Sequence, residues 1–155
     1  MDWLGFYGID ITGISVAGKR VNIPESTAGR IIDSGTATTR LPPAAYSALW
    51  SAFREGITKY PQERNMSILD TCYDFRNYTI IDVPTVSFFF NGGVEASLDA
   101  TGIVYIFDAS EVCLVFASNK DETDVTIFGN VQQRTVEVVY DGAGERVGFA
   151  PKGCI

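Results

Sequence analysis

A mainly β fold with one substantial amphipathic helix is predicted by three features of the 155-residue sequence. Short runs alternate apolar and polar side chains, which is the period of a half-buried strand. Between those runs fall Asn- and Gly-rich pairs, which accept the positive φ that tight hairpins need. Helical spacing of apolar residues is sustained in a single stretch. No repeat of fixed period, low-complexity tract or linker interrupts the chain, so residues 1–155 read as one domain able to bury a sizeable core.

The elements follow in order. Ile9-Asp10-Ile11-Thr12 and Ile14-Ser15-Val16 alternate as a strand, followed by the turn candidate Ala17-Gly18-Lys19 and the short apolar pair Val21 and Ile23. Residues 29–32 read as a strand running into Asp33-Ser34-Gly35-Thr36. Pro42-Pro43 suits the first turn of a helix, where a missing amide hydrogen costs nothing. Tyr46, Leu49, Trp50, Phe53 and Ile57 then line one apolar face until Pro61, a face read as core packing. Residues 83–90 and 94–98 flank Asn91-Gly92-Gly93 as a hairpin, and 103–107, 112–116 and 125–128 read as further strands. Residues 135–140 and 146–150 form a last hairpin around Asp141-Gly142-Ala143-Gly144.

Composition narrows the chemistry. Hydrophobic residues make up 46% and charged ones 20%, which fits a folded chain rather than a disordered one. The absence of histidine excludes Ser-His-Asp and Cys-His hydrolysis, His-ligated zinc and imidazole proton shuttles within this chain. Acid–base work must fall to carboxylates, Lys, Tyr or Cys. With 12 basic against 19 acidic side chains, and no denser basic cluster than Lys19-Arg20, a nucleic-acid partner is not expected. The same acidity fits either a soluble surface or life in an acidic compartment. No apolar run is long enough for a membrane span, and neither a metal nor a cofactor is expected.

Cys72, Cys113 and Cys154 lie far apart without a C-x-x-C pair, so a zinc ribbon or thioredoxin-type site is not expected. Three is odd: either two pair in an oxidising compartment and one is left over, or all three are buried thiols. Asn65-Met66-Ser67 and Asn77-Tyr78-Thr79 are candidate glycosylation tripeptides, consistent with secretion. The N-terminus lacks the features of a signal peptide, so the sequence reads as a mature or truncated piece.

The densest functional signal is Ile31-Ile32-Asp33-Ser34-Gly35-Thr36. Apolar strand residues carry the chain into a turn where Asp33 is surrounded by hydroxyls and turn amides, and such donors stabilise a carboxylate. An ordinary Asx turn would use the same residues. Context decides between the two. Residues 31–42, IIDSGTATTRLP, resemble the second active-site loop of pepsin-like aspartic proteases of the plant nepenthesin-type branch. Residues 11–20, ITGISVAGKR, resemble the start of that branch's C-terminal lobe. Leu69-Asp70-Thr71-Cys72-Tyr73 and Val112-Cys113-Leu114-Val115-Phe116 resemble the segments of its lobe-internal disulfide. Ile127-Phe128-Gly129-Asn130 and Val147-Gly148-Phe149-Ala150-Pro151-Lys152-Gly153-Cys154 resemble its closing motifs.

The resemblance implies a single lobe of the pepsin-like acid protease fold, with residues 1–155 as the C-terminal lobe and the N-terminal lobe absent. It implies Asp33 as the catalytic aspartate of that lobe. Ser34 is then placed in the cross-brace between lobes, Thr36 on the outer oxygen of Asp33, and Gly129 beneath the loop that Gly35 helps to turn. It pairs Cys72 with Cys113 and sends Cys154 to a cysteine of the N-terminal lobe. Polypeptide is the implied substrate, and the secretory pathway, apoplast or vacuole the implied location. The two-carboxylate chemistry of such enzymes needs a second Asp, and the sequence holds one D-[ST]-G, so a missing lobe or a second copy is expected to complete it. Two other readings stay open: a non-catalytic binding module like the cereal xylanase inhibitors, and an inactive truncated remnant.

Overall fold

The computed structural model describes residues 2–3, 6–23, 30–66, 68–134, 136–144 and 146–151. The first long strand is buried along nearly its whole length, because sheet neighbours cover it on both sides. Along Ile11–Val16 the residues Ile11, Ile14 and Val16 face the core, and the strand pairs on one side with Lys19–Val21 and on the other with Val86–Phe90. Val94–Ser97 completes this four-stranded antiparallel sheet across the Asn91-Gly92-Gly93 hairpin, where Gly92 and Gly93 take φ of 85° and 77°. A second four-stranded sheet orders Val104–Asp108, Glu111–Leu114, Cys72–Tyr73 and Gln62–Glu63. Val136–Asp141 and Arg146–Pro151 form the last hairpin.

The site-bearing sheet has six strands in the order Asp2–Trp3, Phe6–Gly8, Arg30–Ile32, Thr126–Phe128, Thr39–Leu41 and Phe116–Ser118. Thr126–Phe128 lies between the two strands that flank the Asp33 loop, parallel to Arg30–Ile32 and antiparallel to Thr39–Leu41. Residues near the C-terminal end of the chain therefore sit inside a loop formed near its start. Phe128 anchors this arrangement in the core: its ring meets those of Phe88 and Phe90 edge-on, with centroids 5.4 and 5.6 Å apart.

The principal helix, α1 (Pro43–Glu55), begins where the proline pair predicts, with Pro43 in the first turn and Ala45, Tyr46, Leu49 and Phe53 buried. Glu122 reaches from a distant loop to accept the free N–H of Ala44 at 2.8 Å, placing a carboxylate at the positive end of the helix. The helix stops at Gly56, short of Pro61. A Cβ at Gly56 would lie 2.7 Å from Cγ of Pro84, so the chain can end the helix beneath Pro84 only without a side chain there. Ile57 stays in the core just past the helix end.

Two stretches depart most from the strands read in the sequence. Residues 112–116 divide into Glu111–Leu114 and Phe116–Ser118, which belong to different sheets, and the Val115 N–H between them bonds Ile103 C=O at 2.9 Å. The stretch 83–90 begins its ladder at Val86, because Pro84 has no N–H to contribute and packs on Gly56 instead.

Candidate active site

The Asp33 loop is shaped by contacts from within and from below. Inside the turn, Gly35 N–H donates to Oδ1 of Asp33 at 2.9 Å, and the Thr36 hydroxyl donates to Oδ2 at 2.5 Å. Both carboxylate oxygens are thereby oriented. The Asp33 N–H donates to Phe128 C=O at 3.1 Å, extending the parallel pairing of the flanking strand into the turn. Asp33 and Thr36 are half-buried, while Ser34 and Gly35 are exposed.

From below, the segment after Phe128 grips the loop backbone. Asn130 N–H donates to Thr36 C=O at 2.7 Å, Val131 N–H to Ala37 C=O at 3.0 Å, and the Asn130 carboxamide to Ser34 C=O at 3.0 Å. Gly129 makes this approach possible. A Cβ there would lie 2.7 Å from Ala37 O and 2.9 Å from Thr36 O, inside van der Waals contact with backbone that has nowhere to move. Gly35 is tight in a milder way, since a Cβ would meet Oδ1 of Asp33 at 3.2 Å.

A buried polar chain locks the grip. Gly129 N–H donates to the Thr39 hydroxyl at 2.9 Å, and that hydroxyl donates to Oε1 of Gln132 at 2.5 Å. The Gln132 amide then donates to Gly102 C=O at 2.9 Å and to Val115 C=O at 3.0 Å. Gln132 is fully buried on the short helix α2 (Asn130–Gln133), so each of these bonds satisfies a group that water cannot reach. Gln133 adds a bond of 2.8 Å to Phe128 C=O, the acceptor already used by Asp33. Gln132 and Gln133 fall outside the motifs read in the sequence, and Thr39 and Asn130 fall inside them without a role of their own. A polar N-V-Q-Q run directly after an apolar strand was the available sign.

One of a pair of packed tyrosines feels the charge of the carboxylate. The rings of Tyr7 and Tyr140 lie 4.9 Å apart, and the Tyr140 hydroxyl titrates above its ordinary value, first through burial and then through the charge of Asp33.

The structure brings Asp33, Ser34, Gly35, Thr36 and Gly129 together and places the cysteines elsewhere. Cys72 and Cys113 are directly opposed in neighbouring strands, with Cα atoms 4.0 Å apart, and form a buried disulfide. They pack with Leu69, Val115 and Val131 in a small second cluster. Val131 links this cluster to the loop through its N–H to Ala37. Cys154 lies outside the described residues. Asn65 and Asn77 are exposed. Among the described residues no group of three or more His, Cys, Asp or Glu could hold a metal ion, and no helix is long and apolar enough to cross a membrane.

An Asp on a hydroxyl-rich loop, threaded from beneath by a glycine-bearing strand inside a mostly β fold, defines one lobe of the pepsin-like aspartic protease class. Residues 6–151 match the family described as xylanase inhibitor C-terminal, and the chain belongs to that family as a C-terminal lobe of the plant, nepenthesin-type branch. It is 53% identical over 99% of its length to an aspartyl protease family protein of Arabidopsis thaliana, and 35% identical over 96% to the aspartic proteinase nepenthesin-2 of Nepenthes gracilis. It spans about a third of those relatives, 33% and 36% of their lengths. The fold is shared with the crystal structure of edgp at a TM-score of 0.83 and 18% identity, covering 94% of this chain and 39% of that one. Soybean basic 7S globulin aligns at a TM-score of 0.79 and 20% identity, covering 97% and 40%.

Proposed function

We propose that this chain is the C-terminal lobe of an aspartic endopeptidase and supplies Asp33 to a two-carboxylate site. The observation that carries the reading is the double restraint on Asp33, whose two oxygens are held by Gly35 and Thr36 on a loop pinned by Gly129 and Asn130. Such a carboxylate is oriented before substrate arrives, which is the condition for acid–base chemistry at a fixed point. In a two-Asp site sharing one proton, the ionised carboxylate takes a proton from a water that attacks the scissile carbonyl. The protonated partner donates a hydrogen bond to that carbonyl oxygen.

Residues 1–155 constitute one lobe on this reading, with the second Asp coming from an N-terminal lobe or from a second copy. The length ratio to the relatives supports the first source. Substrate is polypeptide, Ser34 faces the partner lobe, and Cys154 bonds a cysteine of that lobe. The secretory pathway is the location, in keeping with the disulfide. A second reading, a non-catalytic binding module, is favoured by the xylanase-inhibitor description of the family.

The deciding experiment measures proteolysis of an unfolded protein substrate at acid pH, with Asp33→Asn as control and sedimentation reporting the oligomeric state. Activity that is abolished by Asp33→Asn and blocked by a statine-type inhibitor supports the lobe reading. A folded, inactive protein in which Asp33→Asn changes nothing favours the binding module or a remnant.

A further inference from the structure

The two glycosylation-type tripeptides occupy unlike surroundings. Asn65 borders a polar recess shared with Trp50, Arg54, Asp70 and Cys72, and the next residue, Met66, is tied to Leu69 by reciprocal backbone bonds of 3.0 and 2.9 Å. Asn77 instead rides on a reverse turn closed by Tyr78 N–H to Phe75 C=O at 3.1 Å. The turn is anchored from behind. The rings of Phe75 and Tyr78 meet that of Tyr60 edge-on at 4.6 and 4.8 Å, and the Tyr78 hydroxyl donates to Lys59 C=O at 2.9 Å. Arg76 is held by Asp74 through a fork of 3.1 and 2.7 Å. With its neighbours fixed, Asn77 stands exposed two residues before an exposed Thr79, and its carboxamide makes no hydrogen bond among the described residues. Immediately beyond, Ile80 and Ile81 are 75% and 37% exposed, an apolar surface that nothing among the described residues covers.

We propose that Asn77 is an N-glycosylation site whose glycan shades the Ile80 and Ile81 surface, and that Asn65 is left unmodified. The Asn77 Nδ2 forms a bond to C1 of the first N-acetylglucosamine of a lipid-diphosphate-linked oligosaccharide. The C1–O bond breaks, the lipid diphosphate departs with the electron pair, and the carboxamide loses one proton to a base of the transferase. Thr79 supplies the hydroxyl that the tripeptide requires. The buried Cys72–Cys113 disulfide places the chain in the oxidising compartment where that donor is found. The proposal is independent of any catalytic role for Asp33.

The test expresses the full-length protein in a secretory eukaryotic host and analyses the total product, retained and exported together. Enzymatic deglycosylation in heavy-oxygen water converts each glycosylated Asn to a mass-labelled Asp. Label is expected at Asn77 and not at Asn65. The glycan on this lobe is lost in Asn77→Gln and in Thr79→Ala, and persists in Asn65→Gln. An unlabelled Asn77, or label at Asn65, overturns the assignment. Deglycosylated protein should also bind more hydrophobic dye than the glycoprotein, an increase that Ile80→Ser removes; an unchanged signal overturns the shading.

Discussion

Two turns of this molecule start from nearly the same local chemistry and end differently. At Asp121 the side chain accepts the Thr123 N–H at 2.9 Å and the Thr123 hydroxyl at 2.8 Å, and the whole turn is exposed. At Asp33 the side chain likewise accepts an amide and a threonine hydroxyl, but the loop backbone is also held by Phe128, Asn130 and Val131. The Asp121 turn closes on itself at its tip, and its ties to the rest of the chain run through side chains, Glu122 accepting the Ala44 N–H at 2.8 Å and the Asn119 carboxamide reaching Asp124 C=O at 3.4 Å. The Asp33 turn is fixed by residues more than ninety positions away, Asn130 to Ser34 being 96 apart. A hydroxyl-flanked aspartate is thus common; one whose backbone is clamped by another part of the chain is what a catalytic point requires.

The comparison can be broken or sharpened by substitution. The largest contrast is expected between Asp33→Asn and Asp121→Asn in the two-lobed protein. The first should cost roughly 10²–10⁴-fold in kcat/KM, the usual share of acid–base catalysis, and the second almost nothing. Gln132→Leu comes next. It strands the Thr39 hydroxyl and the Gly102 and Val115 carbonyls in the core, and should lower unfolding free energy by about 3 kcal/mol in denaturant titrations.

Gly129→Ala should cost about 2 kcal/mol by overpacking against loop backbone. Gly142→Ala is its control, because a Cβ there meets the Tyr7 hydroxyl at an ordinary 3.6 Å. Equal melting temperatures for the two variants would remove Gly129 from the clamp. Thr36→Val deletes the hydroxyl on Oδ2 and should lower kcat/KM about tenfold, the worth of one bond to a charged group.

The smallest effect concerns pH. Amide and hydroxyl donors from Thr123 hold the Asp121 carboxyl below its usual value, and those from Ser110 do the same at Asp108. A lowered folded value means the stabilisation is complete above the unfolded value of about 3.9 and fades as pH falls through the folded one. Wild type and Thr123→Ala should therefore differ slightly in melting temperature near neutrality and converge in strong acid.

Much of the frame was legible from the sequence because hydrophobic period and turn chemistry are local. The face of α1, the Gly92-Gly93 hairpin and the strand into Asp33 all follow from neighbouring residues. What remained hidden depends on partners. The run 112–116 has one apolar pattern, yet its halves join different sheets at Val115, since alternation records burial and not which ladder a strand enters. The helix stop at Gly56 rests on Pro84, twenty-eight positions on. Asp33, Gly35, Thr36 and Gly129 took their roles from the motifs, whereas Thr39 and Gln132 were given none. Their roles exist only once the later strand is threaded between Arg30–Ile32 and Thr39–Leu41.

That threading also sets an order in time. As the chain leaves the ribosome, the strands on either side of Asp33 are made early but lack the strand that lies between them. The loop has no Phe128 carbonyl to meet and no Gln132 to close over it until the closing segments have been synthesised. Such long-range pairing is slow to form, and partly made chains leave strand edges open. The Asp33 loop is thus among the last parts to take shape, so an incompletely synthesised chain carries the aspartate without the contacts that hold its loop.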